Sequence, residues 1–255
     1  MSWASRRKTL IIIALSLVVL TALVLTVIAF VYEAPSCSDG KQNDDERGVD
    51  CGGASCAYLC SADVDGATVR FARILRPQAG RVDVIAYVDN KDARAAAHGV
   101  TAVVELYDDA QVLLATKTVV IDIPEGTTVP VYLADVYRGQ GMVSQVFVSL
   151  DTTTLNWFSP TQAYEVPTVR TVEIGETELP RIRATLYNDS AFPLYNITPV
   201  ATVFDAEGNA IAASKTIVTQ MGGQSSATVL FTWNEPFSSP PARIEVLPVT
   251  QLHLP

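Results

Sequence analysis

All four cysteines of the chain lie within one short segment, and they form the most distinctive chemical pattern in the sequence. Cys37, Cys51, Cys56 and Cys60 follow the spacing C-x13-C-x4-C-x3-C. Zinc sites commonly contain C-x2-C pairs or a histidine pair, and neither occurs here. The pattern therefore predicts two disulfides in an oxidising compartment, with the three alternative pairings left open by the spacing.

The loop between the first two cysteines is crowded with oxygen-bearing side chains. Its candidate metal ligands are Asp39, Asn43, Asp45, Glu46 and Asp50. Ca²⁺ prefers such carboxylate and amide oxygens, and a bound cation would relieve the repulsion among the acids. The spacing differs from that of an EF-hand loop. Calcium is the candidate cofactor, and a solvated acidic turn closed by disulfides is the alternative interpretation.

No catalytic motif accompanies these residues. The two histidines, His98 and His253, have no nucleophile or metal ligand in a recognisable local pattern, and the common hydrolase, metalloprotease and phosphate-loop motifs are absent from the sequence. We therefore expect a protein that is not an enzyme. An exported hydrolase whose site assembles from distant carboxylates is the least favoured alternative.

The amino terminus carries a membrane signal. Arg6, Arg7 and Lys8 precede an uncharged apolar run at 10–31, which as a helix of 22 residues reaches roughly 33 Å, enough to cross a hydrocarbon core of about 30 Å. The positive charges place residues 1–9 in the cytoplasm. We predict a single-pass signal anchor at 10–32 in the cell membrane; a cleaved signal peptide is the alternative, and both export the rest of the chain.

The formal net charge of −9 argues against nucleic acid as a partner, because phosphate backbones are bound by basic patches. Beyond residue 61 the chain changes to short apolar runs with polar alternation, as half-buried strands require. These runs are Arg81–Val88, Val100–Tyr107, Val112–Ile121, Val129–Val136 and Val143–Leu150. The absence of a helical period in this region excludes the crossover helices of a parallel α/β sheet.

The second half of the chain repeats elements of the first in the same order, which favours tandem domains over one large barrel. The aligned pairs are Arg81 with Arg181, Tyr87 with Tyr187, Asp89-Asn90 with Asn188-Asp189, Asp108 with Asp205, Lys117 with Lys215, and Gly126 with Gly222-Gly223. The predicted fold is mainly β: an N-terminal transmembrane helix, a cysteine-rich module at 33–65, and two antiparallel β-sandwiches at 66–165 and 166–255.

Two resemblances accompany these patterns. Cys37 to Gly53 resembles a short cysteine module of bacterial surface proteins, C-x-D-G-x-x-N-x-x-E-x-G-x-D-C-G-G, which implies an extracellular spacer or cap. The strand ends Val104–Asp108 and Ala201–Asp205 resemble bacterial FxLYD-type immunoglobulin-like domains. That resemblance implies immunoglobulin-like sandwiches. It carries over no catalytic residue.

Aromatic pairs lie near strand ends, at Trp157-Phe158 and at Trp233 with Phe237. We predict that they pack into or between domains, because one buried ring removes about 150–250 Å² from water; an exposed recognition patch is the alternative. The glycosylation sequons at Asn188 and Asn196 are interpreted as ordinary loop residues.

The leading functional hypothesis is a surface protein that presents two sandwiches for binding an envelope protein or cell-surface polymer through edge strands or end loops. The alternative is an architectural stalk or accessory subunit whose association resides in the anchor and cysteine module. The sequence leaves the oligomeric state open.

Overall fold

The amino-terminal helix α1 spans Trp3–Val31. The structure is a computed structural model that describes residues 3–31, 35–175 and 179–252. Within α1, Arg7–Phe30 has a mean hydropathy of 3.1 and is long and apolar enough to cross a membrane. The apolar side chains described along it are exposed. A helix that is apolar all round and has no protein partner needs another apolar surrounding, so its length and composition agree with the predicted anchor.

The first sandwich contains seven strands. They are β1 (Ala67–Gln78), β2 (Arg81–Asn90), β3 (Ala96–Tyr107), β4 (Leu113–Ile123), β5 (Thr128–Arg138), β6 (Gln145–Leu150) and β7 (Trp157–Phe158). One sheet has the order β1-β2-β5 and the other the order β4-β3-β6, with β7 also paired to β3. Alternate β3 residues, among them Val104 and Leu106, are fully buried between the sheets. Every strand predicted in this region is present.

The second sandwich has the same strand order. Its strands are β8 (Thr168–Ile174), β9 (Arg181–Tyr187), β10 (Leu194–Phe204), β11 (Ala210–Lys215), β12 (Val218–Met221), β13 (Ser226–Thr232) and β14 (Arg243–Val249). One sheet is β8-β9-β13; in the other, β10 lies between β14 on one side and β11 followed by β12 on the other. The pairings between these strands are antiparallel in both sandwiches. The predicted fold class is therefore confirmed, and the boundary predicted at 165/166 falls between β7 and β8.

The two sandwiches pack against each other face to face. The outer face of β1-β2-β5 meets the outer face of β11-β10-β14 through one apolar cluster. Its members are Phe71, Leu75, Ile85, Tyr87 and Tyr132 from the first sandwich, and Val200, Phe204, Ala210, Ala213 and Leu247 from the second. At its centre the rings of Phe71 and Tyr87 lie 4.7 Å apart, and both meet the Phe204 ring edge-on. This junction creates the clefts described below.

The turn that follows β3 has the same hydrogen bonds as the turn that follows β10. Asp108 Oδ1 accepts from the Val112 backbone N–H at 2.8 Å, and Asp205 Oδ1 accepts from the Asn209 N–H at 2.7 Å. The two aspartates predicted to be equivalent therefore have the same structural role, since each accepts a hydrogen bond from the backbone N–H four residues later. The left-handed position is filled differently, by Gln111 with φ 63° and by Gly208 with φ 81°.

We expect opposite effects when these two residues are changed. Gln111→Gly should stabilise the first sandwich by roughly 0.5–1 kcal/mol, because glycine adopts positive φ without the steric penalty of a side chain, partly offset by its freer unfolded state. Gly208→Ala should destabilise by about 1 kcal/mol; its added Cβ meets no atom within 4 Å, so the cost is conformational. Denaturant unfolding measures the change in the free energy of unfolding of each variant. Changes of the same sign in the two variants would contradict the prediction.

The register corrects several pairings predicted from sequence. Val69 lies opposite Val88 and Val169 opposite Leu186, so the second hairpin is two residues shorter. Tyr187 is therefore the counterpart of Asp89, and the counterpart of the buried Tyr87 is Thr185. The predicted equivalence of Tyr87 and Tyr187 is wrong, because the two hairpins differ in length and a constant offset of 100 residues therefore does not align the two copies.

Two further pairings shift for the same kind of reason. Lys117 lies opposite Val104, whereas Lys215 lies opposite Val200, one position away from the equivalent of Val104. The glycine turn also moves: the Gly126 N–H donates to Asp92 O, and the Gln224 N–H donates to Ser190 O in the matching turn. Gln224 has φ 48° and is therefore the counterpart of Gly126.

Candidate functional site

The cysteine module contains two disulfides, as predicted. They join Cys37 to Cys56 and Cys51 to Cys60, with Cα separations of 5.6 and 5.0 Å. No free cysteine occurs among the described residues. The structure thus selects one of the three pairings that the spacing left open. Residues 33 and 34 of the predicted module, and His253, lie outside the described residues.

The acids of this module are used as acceptors for backbone donors. Asp39 accepts from the Lys41 N–H at 2.9 Å and from the Asn43 amide at 2.7 Å, and these bonds, led by Asn43, lower the pKa of Asp39. Asp45 accepts from the Ala54 N–H at 2.5 Å, and donors on Ser55 and Ala54 hold its pKa below the usual value.

The other two predicted carboxylate ligands also accept hydrogen bonds from backbone N–H groups. The buried Glu46 accepts from the backbone N–H groups of Asn43 and Asp50 at 3.2 and 3.3 Å. Both oxygens of Asp50 lie within 3.1 Å of the Gly40 N–H. The repulsion that a cation would relieve is therefore offset by backbone N–H dipoles.

The geometry gathers the predicted calcium ligands only in part. Among the described residues, one group of His, Cys, Asp or Glu offers ligand atoms within 4.8 Å of one another: Cys37, Glu46 and Cys56. Its cysteines form a disulfide and so supply no thiolate. Asp39, Asp45 and Asp50 lie outside that group. Calcium binding at Asp39, Asn43, Asp45, Glu46 and Asp50 stays a prediction.

The module is attached to the first sandwich. The Leu59 N–H donates to Trp157 O at 2.7 Å, and Tyr58 forms an antiparallel bridge with Phe158. Leu59 and Val64 also pack against the core of that sandwich. The module therefore extends the sheet edge at β7.

A cleft of about 370 Å³ opens at one side of the junction between the sandwiches. Trp233, Pro236 and Phe237 of the second sandwich line one wall, and Arg76 and Pro77 of the first line the other. The Trp233 and Phe237 rings lie 5.2 Å apart, edge to face. The Trp233 indole donates to Ala213 O at 3.3 Å, which fixes the ring at the cleft wall.

A buried acid supports the floor of this cleft. Asp83, 1% exposed, accepts two hydrogen bonds from Arg81 at 2.8 and 2.9 Å and a third from the Tyr132 hydroxyl at 2.6 Å. The Asp135 N–H adds a fourth at 2.8 Å. Burial, reinforced by Asp83, raises the pKa of Tyr132. With its acceptor sites occupied, Asp83 has a structural role in the floor, and Arg76 and Glu235 are the exposed charged side chains of the cleft lining.

A second cleft of about 380 Å³ lies at the other side of the junction. Tyr132, Lys215 and Thr250 contribute to its lining, and Lys215 Nζ lies 3.4 Å from Tyr132 O. At its rim Asp122 is paired with His98 at 2.8 Å and accepts from the Leu252 N–H at 3.3 Å. Within residues 35–175 and 179–252, no serine, threonine or cysteine side chain is hydrogen-bonded to His98, so this pair lacks the nucleophile of a catalytic triad.

The aromatic pairs lie where the packing interpretation placed them. Trp157 and Phe158 are 3% and 1% exposed, and Trp233 and Phe237 are half-buried against the core of the second sandwich. The Trp233 pair also lines the first cleft, so packing and ligand access coexist there.

Sequence reasoning missed one pair of buried residues. Asn90 donates from Nδ2 to Ala95 O at 2.7 Å and to Pro124 O at 2.8 Å. Asn188 donates in the same way to Phe192 O at 2.8 Å and Gly222 O at 2.9 Å. Each asparagine ties the end of a central strand to two loops. The interpretation of Asn188 as an ordinary loop residue is therefore wrong, since only 1% of it is exposed.

Comparisons with known proteins give no family. No known family profile and no curated protein match the chain. Among solved structures, it is similar to red sea bream transglutaminase (12% identity, TM-score 0.24, 73% of this chain and 31% of that one) and to the exo-chitosanase CsxA of Amycolatopsis orientalis (14%, 0.21, 62% and 25%). The tandem CBM22 domain of Paenibacillus barcinonensis Xyn10C gives 6% identity and a TM-score of 0.17, covering 74% and 86%. The chain spans less than a third of the first two proteins, and no functional conclusion follows from scores this low.

Proposed function

We propose that this protein is a non-enzymatic, single-pass surface protein that holds two joined β-sandwiches outside the membrane to bind a protein or polymer of the cell envelope. In this arrangement residues 1–9 lie in the cytoplasm and the sandwiches lie outside. The basic residues before α1 and the disulfides after it support that orientation. The resemblance to bacterial surface modules and FxLYD-type domains is consistent with it.

The observation that carries the binding proposal is the cleft lined by Trp233 and Phe237. Ligand sites occur preferentially at domain junctions, in apolar concavities with a few polar groups. This cleft combines aromatic and proline walls with Arg76 and Glu235 at its mouth. Aromatic and arginine side chains carry a large share of binding energy at interfaces. The cleft supplies both kinds from two different domains.

The test is a charge reversal at the cleft mouth. Arg76 is exposed, and its main internal contact is one hydrogen bond to Val143 O at 2.6 Å. In the full chain crosslinked in its native membrane, we expect Arg76→Glu to weaken capture of the bound envelope component about tenfold, the equivalent of about 1.4 kcal/mol. Mass spectrometry of the crosslinked material measures the loss.

The matched control is Arg183→Glu, an exposed arginine on the outer face of β9 that is outside the cleft lining. It changes the net charge equally and should leave capture intact. Equal loss from both variants would show a non-specific charge effect and contradict the cleft as the site. Full capture by a chain truncated after Ser61 would favour the second candidate, an architectural stalk. The pairing of the cysteine module with β7 is the observation that favours that candidate.

A further inference from the structure

A second cleft, of about 340 Å³, adjoins the cleft at Trp233. Arg76 and Glu235 line both clefts, whereas Tyr137 lines only the second. Because two lining residues are shared, the clefts form one continuous depression. We call the two clefts together the long groove.

The long groove follows strand β1 of the first sandwich. Ile74 lines the first cleft and Gln78 lines the second, and a strand covers about 13 Å between these two positions. A compact small molecule would fill one of the two clefts, whereas a polymer occupies both. The shape of the long groove therefore favours a chain of several units as its ligand.

The charged side chains that line the long groove balance each other. Arg76 and Arg81 are matched by Asp83 and Glu235, although the chain as a whole has a formal net charge of −9. Binding surfaces are complementary to their ligands in electrostatic potential. A groove with no excess of either sign therefore suits an uncharged polymer better than an anionic or a cationic one.

Several polar groups of the long groove are left for a ligand. The side chains of Gln78, Gln140 and Glu235 form no hydrogen bond or ion pair with any other residue that the structure describes. The Tyr137 hydroxyl accepts from the Gly141 N–H at 3.1 Å and donates to none of the described residues. The groove thus presents donors and acceptors in close succession.

A peptide added to the walls as a further strand would find few backbone partners. β1 is an edge strand at one wall, and Pro77 interrupts its series of N–H groups. At the other wall, Ala213 O is already occupied, because it accepts from the Trp233 indole at 3.3 Å. Recognition in the long groove must therefore come mainly from side chains.

We propose that the long groove binds a strand of an uncharged polysaccharide of the cell envelope, a proposal that rests on the proposed function and names the class of its ligand. Each sugar ring carries several hydroxyls that donate and accept hydrogen bonds, which matches the amides of Gln78 and Gln140. Each ring also has an apolar face of C–H groups, which packs on aromatic rings such as those of the first cleft. Arg76 and Glu235 supply planar hydrogen-bonding groups where the two clefts meet.

The experiment probes the full chain in lipid nanodiscs with an array of neutral, uronic-acid and amino-sugar hexasaccharides and with an uncharged proline-rich peptide. We expect binding to a neutral hexasaccharide, with a Kd that changes less than about twofold between about 50 and 500 mM NaCl, because screening acts on charged ligands. Gln140→Ala should raise this Kd about tenfold, the scale of a lost hydrogen bond. The matched control is Gln220→Ala, an exposed glutamine on β12 outside the groove, which should leave the Kd unchanged.

The absence of binding to every neutral hexasaccharide overturns the inference, as does binding of the acidic or amino-sugar members alone. Binding of the peptide in their place assigns the long groove to a protein partner. Equal effects of Gln140→Ala and Gln220→Ala place the saccharide outside the groove; both residues are exposed, so thermal unfolding should show unchanged midpoints. Capture of the envelope component by Arg76→Glu is measured separately. Capture that is lost in this variant, without saccharide binding by the wild type, retains the proposed function and refutes the saccharide as its ligand.

Discussion

Asn90→Ala is expected to destabilise the first sandwich by about 3–5 kcal/mol, one of the largest losses from a single polar substitution in this chain. The side chain is 3% exposed and donates to two loop carbonyls, Ala95 O and Pro124 O, while its Oδ1 accepts from the Asp92 N–H at 3.1 Å. Alanine would remove the Asn90 partner of Ala95 O and of the Asp92 N–H, at roughly 1–3 kcal/mol each before relaxation and water entry, and would leave Pro124 O with only the Thr127 hydroxyl as a donor. Denaturant unfolding measures the loss.

Two companion variants make this prediction specific. Asn188→Ala removes the same contacts from the second sandwich and should cost a similar amount there. Asn156→Ala changes an exposed asparagine and should stay within about 0.5 kcal/mol. Asn90→Asp keeps the shape but replaces the donors, so its defect should shrink as pH falls, because only the protonated acid can donate to a carbonyl. A loss below about 1 kcal/mol for Asn90→Ala would contradict the assignment.

The sequence predicts those parts of the fold that depend on local pattern. The apolar run that ends at Val31 is typical of a membrane-spanning helix, and the alternation of apolar and polar residues in β3 is typical of a half-buried strand. Both elements could therefore be predicted from the sequence. The aspartate turns could be matched because their bonds span only four residues. Asn90 could not, because its partner Pro124 lies 34 residues away and asparagine at a strand end also suits an ordinary turn.

The contact between the two sandwiches could have been predicted from the residues of β2. In β2 the residues on both faces are apolar, with Val84 and Ala86 inward and Ile85 and Tyr87 outward, whereas β9 alternates with Arg181 and Arg183. A strand that is apolar on both faces is covered on both faces. The cleft beside this junction could not be predicted, because its walls come from segments more than 100 residues apart.

Phe204→Ala is expected to destabilise the protein by about 3–5 kcal/mol and to uncouple the two sandwiches. Phe204 is 2% exposed at the centre of the junction, where Phe71 and Tyr87 meet its edge and the Arg243 guanidinium lies 3.9 Å from its ring centroid. Truncation of a buried phenylalanine loses its transfer free energy and leaves a cavity. The cavity would lie between the two sandwiches. The substitution therefore weakens the contact that makes the two sandwiches unfold together.

Two tryptophans provide the readout, since Trp157 lies in the first sandwich and Trp233 in the second. In the wild type their fluorescence transitions should coincide; in Phe204→Ala they should separate, with Trp157→Phe and Trp233→Phe backgrounds assigning each signal. Leu230→Ala, at a 48% exposed position outside the junction, is the matched control and should keep them together. Coincident transitions in Phe204→Ala would mean that the sandwiches are coupled through another route, such as Tyr164, whose hydroxyl accepts from the Thr250 N–H at 2.8 Å.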